Sequence, residues 1–317
     1  MTSYELGMRE AFDDELEFII KRAKQYLPHS ETVYSLLSIG FRRKIVDRNV
    51  VRMYVPAAEG LPFFIIIINV LLKPDRQTLT PFWDPKEISP EDAKILFKSL
   101  PNWNWKEKIF FNNASYFVLK EVEKIMLGKN GLCKNKLILH PMEGYTYKLE
   151  DEQNIKVKSL GNDMFLSSID ESYAPLLFKY WKYSFDTLDG LKLYMRSLPA
   201  VAAFAKMDQS EVPDSWDLKV EKDGVVSTYR PVCWAVCRYY GEIGFTYTLP
   251  KYRNKGLCRI VTLTVAKELI KLNVSPYVNI DEINPASKKS HLNAGFRVTT
   301  RCAYHMYLPP GLEWSDF

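Results

Sequence analysis

The sequence has 317 residues, of which 47% are hydrophobic and 26% are charged, a composition typical of a folded globular protein. This length allows two domains of moderate size, and the composition argues against intrinsic disorder. The formal net charge of +5 is too small to indicate a nucleic-acid-binding protein, although it can help to attract a polyanionic ligand.

The cysteines, the N-terminus and the apolar runs narrow the class of protein further. An odd set of cysteines without a C-x-x-C pair predicts neither a disulfide framework nor a metal site, and favours a reducing compartment; the set is Cys133, Cys233, Cys237, Cys258 and Cys302. The acidic start of the chain argues against a signal peptide and an Arg-rich mitochondrial presequence. The longest apolar run, residues 61–72, is shorter than the roughly 20 residues of a membrane-spanning helix and predicts a buried strand.

A polar, charged stretch at residues 149–154 predicts the seam between two domains. We place the boundary near residue 152, which gives an N-terminal domain of residues 1–152 and a C-terminal domain of residues 153–317. In the first domain, residues 12–27 and 114–127 have the apolar spacing of helices, and 50–55 and 63–72 resemble strands. This pattern predicts an α/β domain, in which no catalytic motif stands out.

The pattern of the C-terminal domain also predicts an α/β fold, with strands and helices in succession. The predicted strands are 155–160, 200–206, 232–238, 243–249, 277–281 and 296–308. The predicted helices are 167–181, 188–198, 256–272 and 285–293, the last with Asn284 at its entrance and Pro285 in its first turn.

The loop between strand 243–249 and helix 256–272 is the strongest candidate for a binding site. It delivers the chain Arg253, Asn254, Lys255, Gly256, Leu257 and Cys258 into a helix N-terminus, where unpaired amides and the helix dipole favour a phosphate. Lys251 and Arg259 add positive charge nearby. A solvated turn is the alternative, since a single glycine between basic residues is common.

The loop resembles the Q/R-x-x-G-x-G/A signature of the GNAT superfamily of acyl-CoA N-acyltransferases, with Cys258 where glycine or alanine is usual. The segment from Asn284 to Gly295 and Phe296 resembles a second GNAT pattern, a short helix between an Asn and a closing Gly-Phe. These two matches, in the order and at the places the superfamily has them, imply that acyl-CoA binds here.

A narrower resemblance, to the glycine N-acyltransferase family, extends over nearly the whole chain. It is carried by residues 231–235, Gly241 and Glu242, 248–253 and 256–257, by a segment from Phe165 to Trp181, and more loosely by residues 27–34. The resemblance implies the GNAT acyltransferase fold in the C-terminal domain and a GNAT-like N-terminal domain. It also implies acyl-CoA as co-substrate, no permanently bound cofactor, and transfer of the acyl group to glycine or a similar small amino acid.

The same resemblance implies roles for individual residues. Glu242 matches the general base that removes a proton from the acceptor ammonium, and His291 takes the place of a Tyr that protonates the departing sulfur. Main-chain amides at Thr248 and Leu249 are expected to bind the oxyanion, and Asn284 and loop residues 253–258 to bind CoA. A solvated turn glutamate, a packed histidine and ordinary sheet pairing are the alternatives.

Other acceptors stay open at this point. The acceptor can instead be an arylalkylamine, a polyamine or a protein amine, and the chain can also be a CoA-binding protein without turnover. No base is indicated beside a cysteine, so direct transfer is favoured over an acyl-cysteine intermediate. The family resemblance implies a mitochondrial location, and a cytoplasmic one is the alternative because no presequence is visible. We expect no membrane span.

Overall fold

The computed structural model divides the chain into two compact units. It describes residues 7–49, 51–69, 77–105, 107–128, 131–132, 137–181, 187–208, 210–211, 214–222 and 225–308. The first unit holds the described residues up to Thr146, Asp281–Ile283 and the described chain from Thr299 onward; the second holds the described parts of Tyr147–Ile280 and Asn284–Val298. The boundary near residue 152, proposed as the start of the catalytic domain, stays a prediction.

The first unit contains one sheet and four named α-helices. Its strands are β1 (Met8–Glu10), β2 (Val51–Pro56), β3 (Phe64–Asn69), β4 (Gln77–Trp83), β5 (Ile109–Ser115) and most of β6 (Leu137–Leu149). Its α-helices are α1 (Leu16–Lys24), α2 (Glu31–Leu36), α3 (Pro90–Lys98) and α4 (Tyr116–Leu127). The first five strands follow one another in the sheet, with β4 and β5 parallel. Within the apolar run 61–72 predicted as a buried strand, Phe64–Asn69 forms β3, which is buried along its length between β2 and β4. Residues 70–72 of that run lie outside the described residues.

The second unit carries the candidate site. Its strands are β7 (Met164–Ser168), β8 (Ala200–Lys206), β9 (Leu218–Lys222), β10 (Val225–Cys237), β11 (Ile243–Thr248), β12 (Tyr277–Asp281) and the beginning of β13 (Phe296–Leu308). Its α-helices are α5 (Ala174–Tyr180), α6 (Leu188–Ser197), α7 (Leu257–Lys271) and α8 (Pro285–Asn293). The sheet order is β11-β10-β8-β7, and β9 pairs with β10. Helix α7 packs against β10, β11 and β8.

Several predicted elements agree with the structure and a few do not. The predicted strand 155–160 is wrong: this segment is irregular, because its alternating residues have no neighbouring strand to pair with. The predicted helix 167–181 begins late, at Ala174, because the residues before it form β7 and a short 3-10 turn capped by Asp170. Likewise, α4 begins at Tyr116, since Ala114 and Ser115 belong to β5.

Two further features bear on function. Within the described ranges, no helix has both the length and the apolar character needed to cross a bilayer. The same part of the chain brings together no group of His, Cys, Asp and Glu side chains suited to a metal ion.

Candidate active site

An irregularity in β11 shapes the candidate site. β11 pairs with β10 in antiparallel fashion, with Trp234 opposite Tyr247 and Val236 opposite Gly244. Two residues of β11 therefore oppose one of β10 between these pairs, which defines a β-bulge. Phe245, in the bulge, has a φ of 50°, in the left-handed region that a bulky residue rarely adopts. A bulge of this kind bends the strand and increases its twist, so it alters the direction of the end of β11.

β11 meets β12 at one isolated parallel bridge, between Glu242 and Tyr277. Beyond that bridge the two strands belong to different sheets: β11 is the edge strand beside β10, whereas β12 pairs with β6. The outer edge of β11 is thus available for a ligand along the described strand. This arrangement is what an extended arm of a co-substrate requires if it is to pair with main-chain groups.

The main-chain amides at the end of β11 point in opposite directions. The Leu249 N–H donates to the Val232 carbonyl of β10 at 2.9 Å. Because successive residues of a strand alternate in direction, the Thr248 N–H points away from β10. The expectation that the Leu249 amide binds the oxyanion is therefore corrected: this amide already serves the sheet. Binding of the oxyanion by the Thr248 amide stays a prediction.

Glu242 is buried at the point where β11 and β12 part. Its carboxylate Oε2 lies 3.0 Å from Nη1 of Arg238, and the two side chains are only 6% and 4% exposed. The same Nη1 donates to the Tyr240 hydroxyl at 2.7 Å. The solvated turn glutamate, the alternative interpretation of this residue, is wrong. A buried carboxylate needs a counter-charge, and Arg238 supplies it.

In the predicted phosphate loop, two residues adopt left-handed backbone conformations just before helix α7. After a 3-10 turn at Pro250–Tyr252, Asn254 and Gly256 adopt φ angles of 61° and 76°. Nothing lies within 4 Å of where a Cβ on Gly256 would be, so the backbone angle, and not close packing, favours glycine there. Helix α7 begins at Leu257 without a side-chain cap. Its first N–H groups are therefore available to an anion.

The charges around the loop are not equivalent. Arg253 donates to the Thr248 carbonyl at 3.1 Å and to the Tyr247 hydroxyl at 3.2 Å, so it braces the loop against the end of β11. Lys251 is engaged by Glu211 at 2.9 Å. Lys255 lies over the Tyr252 ring at 5.2 Å and is exposed. We therefore expect Lys255, together with the half-buried Arg259, to contribute more charge to a ligand than Lys251 does.

Helix α8 places Asn284 and His291. The Asn284 Oδ1 accepts from the Ser287 N–H at 3.1 Å, so this side chain caps its own helix. His291 is buried, with Nδ1 2.8 Å from the Ser287 carbonyl. A carbonyl only accepts, so Nδ1 carries the hydrogen. Burial lowers the pKa of His291, against a smaller opposing effect of that hydrogen bond.

This geometry does not support the predicted acid role of His291. A neutral imidazole with its hydrogen on Nδ1 has a lone pair on Nε2 and no proton to give from that atom. The Nε2 atom is buried without a hydrogen-bond partner in the described structure. A tyrosine at this position donates a proton, whereas this histidine offers an acceptor.

Among the described residues, no two cysteines are joined by a disulfide. Cys233, Cys237 and Cys302 are buried, and Cys258 is half-buried; Cys133 lies outside the described residues. Burial raises the pKa of Cys233, Cys237 and Cys258. Because the thiolate is the nucleophile, none of these three is suited to covalent catalysis.

The sequence interpretation missed Arg238, Tyr240 and Tyr277. One signal was present for Arg238: it lies four residues before Glu242, across a turn that contains Gly241. A hairpin places the residues that flank its turn side by side, so this spacing favours a pair. Nothing in the sequence indicates that the Tyr277 hydroxyl donates to the Tyr240 carbonyl, at 2.7 Å, because the two residues are far apart in the chain.

The sequence profile of the family described as aralkyl acyl-CoA:amino acid N-acyltransferase, C-terminal region, matches residues 226–308, which include Glu242, the loop and helix α8. The glycine N-acyltransferase-like protein Keg1 of Rattus norvegicus is 21% identical over 236 residues, which cover 68% of this chain and 73% of that protein.

Solved structures resemble the fold over almost the whole chain. A Drosophila protein has a TM-score of 0.75 at 14% identity, covering 96% of this chain and 99% of its own. A tandem GNAT protein from the clavulanic acid biosynthesis pathway has a TM-score of 0.50 at 10% identity. The match covers 98% of this chain and 100% of that protein. The predicted GNAT fold, with a GNAT-like N-terminal half, is confirmed. Residues 226–308 thus resemble the C-terminal region of acyl-CoA:amino acid N-acyltransferases, and about two thirds of the chain resembles a glycine N-acyltransferase-like protein.

Proposed function

We propose that this protein transfers an acyl group from acyl-CoA to the amino group of glycine or a similar small amino acid, by direct attack. The observation that carries the proposal is the place of Glu242: a buried carboxylate lies where β11 and β12 part, at one end of the edge that leads to the phosphate loop. A base is needed there because an amino-acid ammonium must lose a proton before it can attack.

Acyl-CoA binding is supported by the uncapped start of α7. The pyrophosphate would accept hydrogen bonds from the first amides of that helix, with Lys255 and Arg259 supplying positive charge. The rest of the arm would run along the outer edge of β11 toward Glu242. Gly256 and Asn254 hold the turn that exposes these amides.

The reaction itself needs three groups in order. Glu242 takes a proton from the acceptor ammonium, and the amine nitrogen then attacks the thioester carbonyl. In this proposal the Thr248 N–H, which points away from β10, stabilises the oxyanion. Collapse of this intermediate breaks the C–S bond, the electron pair leaves with the CoA sulfur, and the second proton of the attacking nitrogen passes to the departing thiolate or to water. A thiol with a pKa near 8.5 can depart as thiolate, so the reaction does not require a proton from His291.

The proposal is tested by mass spectrometry of the products formed from a panel of acyl-CoAs and amines. The panel includes glycine, alanine, glutamine, an arylalkylamine and a polyamine, each with short, long and aromatic acyl donors. We expect an N-acyl amino acid to form in step with CoA release. Turnover with no acceptor in the panel, despite saturable acyl-CoA binding, contradicts the proposal and indicates a CoA-binding protein without turnover.

An arylalkylamine is the second candidate acceptor, favoured by the aromatic rings beside Arg238, the ion-pair partner of Glu242. Trp181 and Phe245 lie with their ring centroids 4.5 Å apart, and Trp181 is half-buried. Such rings suit an aromatic amine. Arg238 does not decide between the two acceptors, because its guanidinium is buried against Glu242 and Tyr240. The acceptor panel separates the two.

A mitochondrial location is part of the proposal and is supported by the family resemblance. Fractionation of cells that express the full chain with a C-terminal tag tests it. Recovery of the tagged chain with a matrix marker supports it, and recovery with a cytosolic marker contradicts it.

A further inference from the structure

Arg238, the buried partner of Glu242, is an unusual feature of this site. Arg238 and Glu242 form a buried ion pair at 3.0 Å. A buried guanidinium is costly to desolvate, and its cost is offset only by good partners. The surroundings of Arg238 show what those partners are and what they hold in place.

Arg238 lies in a cage of aromatic rings. Its Cζ is 5.0 Å from the ring centroid of Phe245, 5.5 Å from that of Trp181 and 5.7 Å from that of Tyr240. Cation–π contacts of this length stabilise a guanidinium that has left water. The bulge with its left-handed Phe245 contributes one wall, so the local backbone and the cage are parts of one arrangement.

The guanidinium also lies close against the backbone of β11. A Cβ on Gly244 would come within 3.4 Å of its Nε and 3.5 Å of its Cζ. These are ordinary van der Waals distances, so the guanidinium packs directly on the backbone of β11 at Gly244. Arg238 thus contacts the β11 backbone on one side and the carboxylate of Glu242 on the other.

The backbone that carries the pair is held as firmly as the side chains. The Arg238 N–H donates to the Glu242 carbonyl at 2.8 Å, and Gly241, with a φ of 86°, closes the turn between them. The Tyr277 hydroxyl donates to the Tyr240 carbonyl at 2.7 Å and joins this turn to β12. Arg238, Glu242, Tyr240 and Tyr277 thus form one network at the place where the strands part.

We propose that Arg238 is a positioning residue for the acyl transfer, which keeps Glu242 ionised and fixes its carboxylate in one orientation toward the acceptor ammonium. The inference rests on the proposed function, because it concerns the base of that reaction. Arginine stays protonated throughout, so the proton from the ammonium passes to Glu242 and not to Arg238. The C–N bond then forms and the C–S bond breaks as described above.

The charges of the groups around Glu242 decide whether its ionised or its protonated form is favoured. The titratable groups near it are Cys237 at the end of β10, Arg238 just after it, Tyr239 and Tyr240 in the turn, Tyr277 on β12, and Tyr194 of α6, which packs on Tyr239. Among these, Arg238 alone is cationic at neutral pH. Its charge favours the ionised carboxylate, whereas burial without it favours the protonated acid, which cannot act as a base.

The test compares pH–rate profiles of Arg238→Met and Arg238→Lys with that of the wild type, using the best acceptor of the panel. In Arg238→Met we expect the acid limb of kcat to move up by about one to three pH units. In Arg238→Lys the limb stays in place because a cation remains, but kcat falls about tenfold because an ammonium lacks the planar fork that orients the carboxylate.

Arg230→Met is the matched control, since it removes another arginine–carboxylate pair of the same unit, with Asp217 at 2.8 Å. Its acid limb should coincide with that of the wild type. An unmoved limb in folded Arg238→Met, or a shift of equal size in Arg230→Met, overturns the inference. If Arg238→Met does not fold, Arg238→Lys decides: a tenfold loss of kcat with an unmoved limb supports the inference, and an unchanged kcat overturns it.

Glu242→Gln separates failure of this inference from failure of the proposed function. If Glu242→Gln keeps full turnover, the proposed base is wrong whatever Arg238 does. If Glu242→Gln loses turnover while the Arg238→Met limb matches that of the wild type, the base stands and only the role of Arg238 is wrong.

Discussion

Glu242 and Tyr277 form an isolated parallel bridge, and the strands that they introduce continue in different sheets. One residue pair thus marks both the end of the contact between β11 and β12 and the location of the proposed base. The carboxylate is placed by backbone pairing on one side and by Arg238 on the other. The order of elements in the sequence brings these groups together, since the turn, the strand and the loop follow one another directly.

Replacement of Gly256 by alanine should weaken acyl-CoA binding with little effect on kcat. The left-handed backbone costs an alanine about 1–2 kcal/mol, and relief of that strain would move the amides at the start of α7. A 1.4 kcal/mol loss corresponds to about a tenfold rise in the Kd. Isothermal titration calorimetry measures the Kd for acyl-CoA.

Gly60→Ala is the control for that change. Gly60 has a φ of 75°, and no atom lies within 4 Å of the position that a Cβ would take there, as at Gly256, but it belongs to the first unit. Both variants should lose similar stability, and only Gly256→Ala should lose affinity. Equal affinity in the two variants contradicts the placement of the phosphate site.

Two lysines near the loop should differ in their effect on binding. Lys255→Ala should raise the Kd for acyl-CoA by roughly two- to fivefold, the scale of an exposed ion pair, and the effect should shrink as salt screens it. Lys251→Ala should have less effect, because Lys251 is already paired with Glu211. Titrations at low and high salt measure both. A larger loss in Lys251→Ala than in Lys255→Ala would show that the charges are wrongly assigned.

The buried His291 should make the protein less stable as the solution becomes acidic. Burial lowers the pKa of His291 in the folded state below its ordinary value of 6.5, so the unfolded chain binds the proton more readily. The contribution of this residue is therefore fully present above pH 6.5 and is lost as the pH falls from there toward the folded pKa. Thermal melting between pH 5 and 8 measures it.

His291→Asn is the informative variant, since an amide can keep the hydrogen bond to Ser287 but does not titrate. Its melting temperature should fall less between pH 7 and pH 5 than that of the wild type. His29→Asn is the control, because His29 is exposed. An equal dependence on pH in His291→Asn and in the wild type removes His291 as the cause.

Replacement of Cys258 by alanine should leave turnover within about twofold of the wild type. The raised pKa of this thiol leaves little thiolate, and thiolate is the form that attacks a thioester. Mass spectrometry of the protein after incubation with acyl-CoA alone should detect no acyl adduct at Cys258. A stable adduct that an amine then removes would show an acyl-enzyme route.

The sequence predicts the second unit well where short elements follow each other. The strand 243–249, the helix 256–272 and the helix 285–293 agree with β11, α7 and α8 within a residue or so, because a loop with Gly256 and a cap at Asn284 mark the helix starts. Strand pairing is not encoded locally. The alternating residues 155–160 therefore predict a strand, although the structure has an irregular segment there.

The site is less predictable than the fold. The phosphate loop follows from a local signal, since helix start, glycine and charge are adjacent in sequence. The state of Glu242 does not, because it depends on Arg238, whose guanidinium lies against Trp181 and Phe245, and on a turn joined to Tyr277. The hydrogen-bond partner of the Leu249 amide depends on the register with β10, which a single strand does not reveal.

The kinetics of Glu242→Gln test the central claim most directly, because the amide keeps the shape of the side chain and removes its ability to take a proton. Acyl-CoA affinity by calorimetry and CoA release with a saturating amino acid are measured for the same preparation. The account predicts an unchanged Kd and a kcat lower by about 10²–10⁴-fold, the range of general-base catalysis. A kcat within about twofold of the wild type would contradict the assignment of Glu242 as the base.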